Sequence, residues 1–215
     1  MTRYVRRFSR TERAVHWVNA LGFFVLLGTG LVLYLPSLSI LVGRRPVVKD
    51  IHFWSGVAWI VALALVALLG DRRGLLRTAR ELDAFGVDDR RWLRRRHPAP
   101  QGRFNAGQKI NAVLNAAFLV LFAVSGVLLF LGERDTRFRF ASTVVLHDGV
   151  TLVATVLLVG HLYLSVFHPA TRHALRGITL GTVREDWARE HHASWAPPSA
   201  GQGREAGGDA RVGPY

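Results

Sequence analysis

The stretch TVVLHDGVTLVATVLLVGHLYLSVFH, residues 143–168, decides how this chain is read. No Asp, Glu, Lys or Arg occurs from Gly149 to Ala170. About 20 helical residues cross the ~30 Å hydrocarbon core of a bilayer, so the stretch reads as a membrane span that begins near Thr143. It carries two histidines, His147 and His161. Fourteen residues advance a helix by ~21 Å and bring it back to nearly the same face. One helix therefore presents two imidazoles on one side at two depths. An ionisable residue within a span marks a functional site, and neutral imidazole is a common metal ligand.

Three further stretches lack Asp, Glu, Lys and Arg: Ala14 to Leu35, Ile51 to Gly70 and Ile110 to Gly132. A soluble core helix seldom needs so long a charge-free run. The expected fold is an all-α integral membrane protein, a bundle of four transmembrane helices with spans at about 14–35, 50–70, 110–132 and 143–168. Pro36 closes the first span, because proline disfavours helix at the residue before it. The bundle is expected to occupy residues 1–195. The tail 196–215, rich in Gly, Pro and Ala, is expected to be a disordered cytoplasmic extension. Arg6-Arg7-Phe8-Ser9-Arg10 is similar to a twin-arginine export signal. A full histidine-bearing span follows it, so the segment is expected to be retained.

The net charge of +13 would suit a nucleic-acid binder if it were clustered at random. Instead, the 28 Lys and Arg alternate across the spans: 22 fall on one side and 6 on the other. By the positive-inside rule, both termini and the Arg-rich loop between spans two and three lie in the cytoplasm. The same arginines can bind anionic membrane lipid or a partner subunit. No nucleic-acid partner is expected. Within that loop, an amphipathic helix is expected around Leu75 to Phe85, with Arg77, Arg80 and Glu81 in water and Leu75, Leu76, Ala79 and Leu82 opposite. Arg90 to Arg96 reads as a solvated or headgroup-facing surface.

The chain has no cysteine. That excludes disulfides, thiolate-held iron–sulfur clusters and haem attached through C-x-x-C-H. Any haem is non-covalent, and any iron–sulfur centre in the electron path belongs to another chain. Topology sorts the histidines by depth. The second and fourth spans both start outside, which sets His52 level with His147. The first starts inside, which sets His16 nearer His161. Two pairs at two depths suit two haems, one near each face, with His52 and His147 on the outer iron and His16 and His161 on the inner. Gly56, one turn from His52, leaves room for a flat porphyrin. His168 rivals His161, because it shares that face and lies closer to the depth of His16. It also precedes Pro169, where helix geometry is disfavoured, but depth alone does not decide between them. His97, His173, His191 and His192 stand in basic surface segments and are not read as iron ligands.

Several pieces carry a family likeness. Arg13-Ala14-Val15-His16-Trp17 heads the first span, and His52 with Gly56 heads the second. Phe104-Asn105-Ala106-Gly107-Gln108-Lys109 precedes the third, and the fourth holds His147 and His161-Leu162-Tyr163. The run from Gly181-Thr182-Val183 to Trp187-Ala188-Arg189-Glu190-His191-His192 closes the set. In order and spacing, from about Arg7 to Trp195, the chain resembles the cytochrome b (gamma) subunit of membrane-bound respiratory formate dehydrogenases. The resemblance implies four spans, two non-covalent b haems on the pairs named above, and His161 rather than His168 at the inner iron. It implies electrons arriving from an iron–sulfur (beta) subunit, originally from a molybdenum or tungsten catalytic (alpha) subunit, and leaving to quinone. Asn105, Gly107, Gln108 and Lys109 would form part of the quinone site. The basic Arg90 to Arg96 loop and the Gly-rich tail depart from that pattern.

Two other readings compete. A cytochrome b subunit of a hydrogenase or thiosulfate reductase, or a stand-alone b561-like quinone oxidoreductase, shares the four-histidine plan. A membrane metal transporter would use histidines as transient ligands, but it usually places carboxylates at the midplane, and none lies deep in these spans.

Overall fold

The computed structural model describes residues 2–196. A short strand β1 (Tyr4–Arg6) leads into α1 (Arg10–Tyr34), α2 (Pro36–Val42) and α3 (Arg45–Leu69). The loop carries α4 (Arg72–Asp83) and α5 (Val87–Leu93), followed by α6 (Ala106–Gly132) and α7 (Ala141–Leu162). A π-helical turn, Tyr163–Phe167, prolongs α7, and α8 (Leu175–Leu180), β2 (Thr182–Arg184) and α9 (Glu185–His191) complete the chain. Among the described residues, four helices are long and apolar enough to cross a membrane: α1, α3, α6, and α7 with its π turn. Large apolar side chains such as Leu69, Leu152 and Val156 stay on their surface, which in a spanning helix is the side that lipid covers.

Local signals place the helix ends. Ser9 Oγ accepts the Glu12 N–H at 3.2 Å while Glu12 Oε2 accepts the Ser9 N–H at 2.6 Å, a reciprocal cap that starts α1. Asn105 and Gln108 form the same box at the start of α6, at 2.9 and 3.1 Å. Asp71 Oδ1 accepts the Gly74 N–H at 2.9 Å and starts α4. Proline ends α1 and opens α2, and Gly43, at φ +66°, ends α2 in the left-handed region.

The spans pack through a few close contacts. A Cβ at Gly22 would lie 2.2 Å from Trp59 Cδ1, so glycine lets α1 and α3 meet over the buried Trp59 ring. Phe53 and Phe130 stack at 3.6 Å between α3 and α6. At the terminal end, β1 and β2 pair antiparallel, with Val5 opposite Val183. Val183, Trp187 and Ala188 form a small buried core there. The Asp71 N–H donates to Thr11 Oγ1 at 3.0 Å, and Trp17 Nε1 donates to the Ile178 carbonyl at 3.2 Å. β1, the α8–β2–α9 segment and the start of α4 therefore share one face of the bundle.

Three expectations need correction or limits. The bundle is helical, yet two three-residue strands join the segment before α1 to the segment after α8. The loop helix runs from Arg72 to Asp83 rather than Leu75 to Phe85, and Leu76 and Ala79 are exposed. Its inner face is instead Leu75, Thr78 and Leu82, because Thr78 donates to Glu12 Oε1 at 2.6 Å and turns the helix towards α1. The tail expectation for 196–215 falls, Ala196 aside, outside the described residues.

Candidate functional site

Two histidine pairs meet inside the bundle. The His52 and His147 ring centres are 6.2 Å apart, and those of His16 and His161 are 6.3 Å apart. Metal–imidazole bonds are about 2.0–2.1 Å and the ring centre lies about 1.2 Å beyond the nitrogen, so two imidazoles on opposite sides of one metal have centres about 6.5 Å apart. Both pairs meet that separation to within a few tenths of an ångström. His168 faces elsewhere, towards Tyr163 and Thr171. It caps the π turn in extended geometry, as a residue before proline does. Its backbone N–H donates to the Tyr163 carbonyl at 3.0 Å.

At one pair, hydrogen bonds select the tautomer. The Thr29 hydroxyl donates to the Val25 carbonyl at 2.9 Å, so its oxygen is left to accept from His52 Nδ1 at 2.8 Å. Ser125 repeats the arrangement: it donates to the Leu121 carbonyl at 2.5 Å and accepts from His147 Nδ1 at 2.8 Å. Each ring thereby carries its proton on Nδ1 and keeps the Nε2 lone pair for a metal. Thr29 and Ser125 escaped sequence reasoning. Their signal was present, because Thr29 and His52, like Ser125 and His147, occupy matching depths on neighbouring spans. At Gly56 a Cβ would meet only Leu26, at 3.7 Å, so that surface is open as well as flat. Among the described residues, no group of three or more His, Cys, Asp or Glu could hold a metal ion, and the two histidine pairs are the donors that would hold a haem iron.

Beside the His16 end stands a network that the sequence did not announce. Arg103 donates to Glu12 Oε1, to Glu81 Oε2 (each at 2.6 Å) and to Thr78 Oγ1 at 2.5 Å. Arg7 donates to the Arg103 carbonyl at 2.8 Å and to Gln108 Oε1 at 3.2 Å. Burial, then the nearby Arg103 charge, pushes the Arg7 guanidinium down to about 10, which leaves it charged at neutral pH. His192 is read from sequence as a surface residue, but only 1 % of it is exposed. It packs against Trp187 and Trp195, and its Nδ1–H donates to the Gly102 carbonyl at 2.7 Å. The antiparallel ribbon carries it there, a long-range pairing that no local pattern encodes.

The four residues at the start of the third span come together. Asn105 and Gln108 cap α6, and Lys109 Nζ donates to Asp89 Oδ2 at 2.8 Å and the Ala84 carbonyl at 2.7 Å. A Cβ at Gly107 would lie 3.3 Å from Trp92 Cη2, so glycine admits the indole. The amide NH₂ groups of Asn105 and Gln108 have no partner among the described residues.

Paired imidazoles, one pair with its tautomers oriented, suit an electron carrier. A family model described as prokaryotic cytochrome b561 matches residues 7–181. The chain belongs to the prokaryotic cytochrome b561 family. It is 25% identical over 197 residues to "Formate dehydrogenase, cytochrome b556(fdo) subunit" of Escherichia coli K12, which covers 88% of this chain and 90% of that protein. It is 26% identical over 202 residues to "Formate dehydrogenase, cytochrome b556 subunit" of Haemophilus influenzae, covering 90% and 82%. A nitrate-inducible cytochrome b556(Fdn) subunit of E. coli K12 is 22% identical over 200 residues, covering 86% of each. This b561-family chain is thus an integral membrane protein with an electron-transfer role, it uses b-type haem, and it is similar to subunits of an oxidoreductase complex.

Proposed function

We propose that this chain is the cytochrome b subunit of a formate dehydrogenase complex in the bacterial inner membrane, passing electrons from an iron–sulfur partner through two b haems to quinone. The observation that carries this is the pair of histidine pairs, each with its rings close enough together that both could hold one iron. His52 and His147 would hold the haem near one membrane face, and His16 and His161 the haem near the other. Haem supplies a one-electron couple at each site. The chain supplies the rest: it fixes the ligand tautomer through Thr29 and Ser125, keeps bulk water from the spans, and sets the two sites apart along α7. The excess of Lys and Arg on the face with both termini supports a cytoplasmic position for that face. Electrons would enter at the opposite face from a partner that holds the iron–sulfur clusters this cysteine-free chain lacks, with formate oxidised at a molybdenum or tungsten subunit.

The quinone would dock at the cytoplasmic mouth, beside Asn105, Gly107, Gln108 and Lys109. Reduction of a quinone to the quinol takes two electrons, delivered singly, and two protons, so the site would need hydrogen-bond donors and access to water. The unused amide NH₂ groups of Asn105 and Gln108 are such donors, although their oxygens are spent on the helix cap.

Haem content tests the reading. His52→Ala or His147→Ala should leave about one haem per purified chain, and His16→Ala or His161→Ala should remove the other. His168→Ala should keep both. Two fully retained haems in any of the first four variants overturn the pairing. For the quinone site, Asn105→Asp keeps the capping oxygen but loses the NH₂ donor. Loss of a hydrogen bond worth roughly 1–3 kcal/mol should slow reoxidation of the reduced haems by quinone on the order of tenfold to a hundredfold. Unchanged reoxidation in Asn105→Asp and in Gln108→Ala moves the site elsewhere.

A further inference from the structure

Helix α5 has two unlike faces. At 100° per residue, Asp89, Trp92 and Leu93 share one side, and Val87, Arg90, Arg91 and Arg94 share the other. The first side is tied down: Asp89 is buried in an ion pair with Lys109 at 2.8 Å, and Trp92 covers Gly107. Both partners lie in the first turn of α6, so α5 is fastened at the level where a span leaves the membrane. The second side is left outward, and the chain then folds back over its end. Arg95 takes φ +54°, a left-handed conformation rare for a residue with a side chain. The Arg96 N–H bonds to the Arg91 carbonyl at 2.9 Å and that of Arg95 to the Trp92 carbonyl at 3.0 Å, which closes the helix as a Schellman turn. This turn returns Arg96 to the basic face. The result is a pocket of about 240 Å³ lined by Val87, Arg90, Arg91, Arg94 and Arg96.

Four arginines line this hollow, largely through their aliphatic stems, and their positive charges gather on one face of α5 that an anion would neutralise. Arg91 has Asp88 at 3.4 Å, and no ion pair forms at Arg90, Arg94 or Arg96 among the described residues. Guanidinium is the side chain best matched to phosphate, which it grips through two parallel N–H donors. Val87, 61% exposed at the rim, would be misplaced in water but suits acyl chains. We propose that this pocket binds the phosphate of an anionic phospholipid headgroup, holding the lipid against the α5–α6 corner. Arginines above a membrane surface serve as lipid anchors when they cluster beside a span. The Arg95 turn makes this cluster a shaped site rather than a charged run.

The test uses the full chain, with its haem, in vesicles of phosphatidylcholine doped with phosphatidylglycerol. Lipid co-purified with the protein is quantified for the wild type, for Arg90→Gln/Arg94→Gln/Arg96→Gln, and for Arg73→Gln/Arg77→Gln/Arg80→Gln on α4. The two triple variants remove equal charge from the same face. Each arginine near an anionic surface is worth about fivefold, so the α5 variant should lose phosphatidylglycerol enrichment by at least about tenfold while the α4 variant keeps most of it. An unchanged visible spectrum shows that either variant has folded. Equal loss in both variants, or none in the α5 variant, overturns the proposal. Inorganic phosphate, offered to the protein in pure phosphatidylcholine, separates the two sources of the anion. Saturable phosphate binding that needs Arg90, Arg94 and Arg96, without phosphatidylglycerol enrichment in the doped vesicles, would make this a soluble-anion site and overturn the lipid assignment.

Discussion

Two hydroxyls carry more of the site than their size suggests. Thr29 and Ser125 each donate to their own helix and accept from a histidine on a neighbouring one. A serine or threonine that bonds its own i−4 carbonyl has its proton committed, so its oxygen can only accept. The imidazole opposite must then hold its proton on Nδ1, and Nε2 becomes the only nitrogen free to ligate. Thr29→Val and Ser125→Ala should lower the affinity for the haem on His52 and His147 by about tenfold to a hundredfold, the usual cost of losing a partner behind a metal ligand. Haem release into an excess of competing apoprotein measures it. The second haem should be unaffected, and equal release from both sites would argue against the assignment.

Among the elements, α1 and α3 form the tightest contact, and glycine permits it. Trp59 lies against Gly22 so closely that even a methyl group there collides with the indole. Gly22→Leu should therefore separate the two helices and destabilise the bundle by roughly 1–3 kcal/mol or more, read as an earlier unfolding transition in detergent. Because Thr29 and His52 bridge the same two helices, the haem on His52 should loosen in step. Pairing Gly22→Leu with Trp59→Ala should recover part of the stability, since contacting residues couple. Additive losses in the double variant would show that the contact is not what limits the approach.

For the molecule as a whole, the docking of the α9 segment against the loop at Gly102 depends on a neutral histidine. Burial, with Arg7 beside it as the second cause, pushes His192 down to about 3, and His191 adds to the repulsion. The bond to the Gly102 carbonyl opposes this only in part. A released His192 would titrate near 6.5. Between those values the undocked segment binds the proton that the docked one refuses. Docking is thus at full strength above pH ~6.5 and weakens as pH falls towards 3. The slope is at most about 1.4 kcal/mol per pH unit, so up to roughly 2 kcal/mol is lost by pH 5. Faster hydrogen exchange in α9 at pH 5 than at pH 7, corrected for intrinsic rates, would show it. His192→Asn should remove most of that pH dependence. An equal acid response in this variant would place the sensitive group elsewhere.

The four spans and the four paired histidines were legible in the chain, because a bilayer imposes length and apolarity on each span one helix at a time. The spacing of His147 and His161 is likewise a property of a single helix. The caps at Ser9 and Glu12, and at Asn105 and Gln108, are local too and were open to reading. Depth left His161 and His168 as rivals and only a family resemblance favoured His161; the tertiary structure turns His161 towards His16, since that depends on how α1 and α7 rotate against each other. It alone buried His192, through a strand pairing between residues near 5 and near 183. It also brought Arg7, Glu12, Thr78 and Arg103 into one network, and it curled Arg96 back over α5. Charge-free runs are set by the solvent that each segment meets. Contacts between polar side chains far apart in sequence are set by which segments meet one another, and no window of neighbouring residues records that.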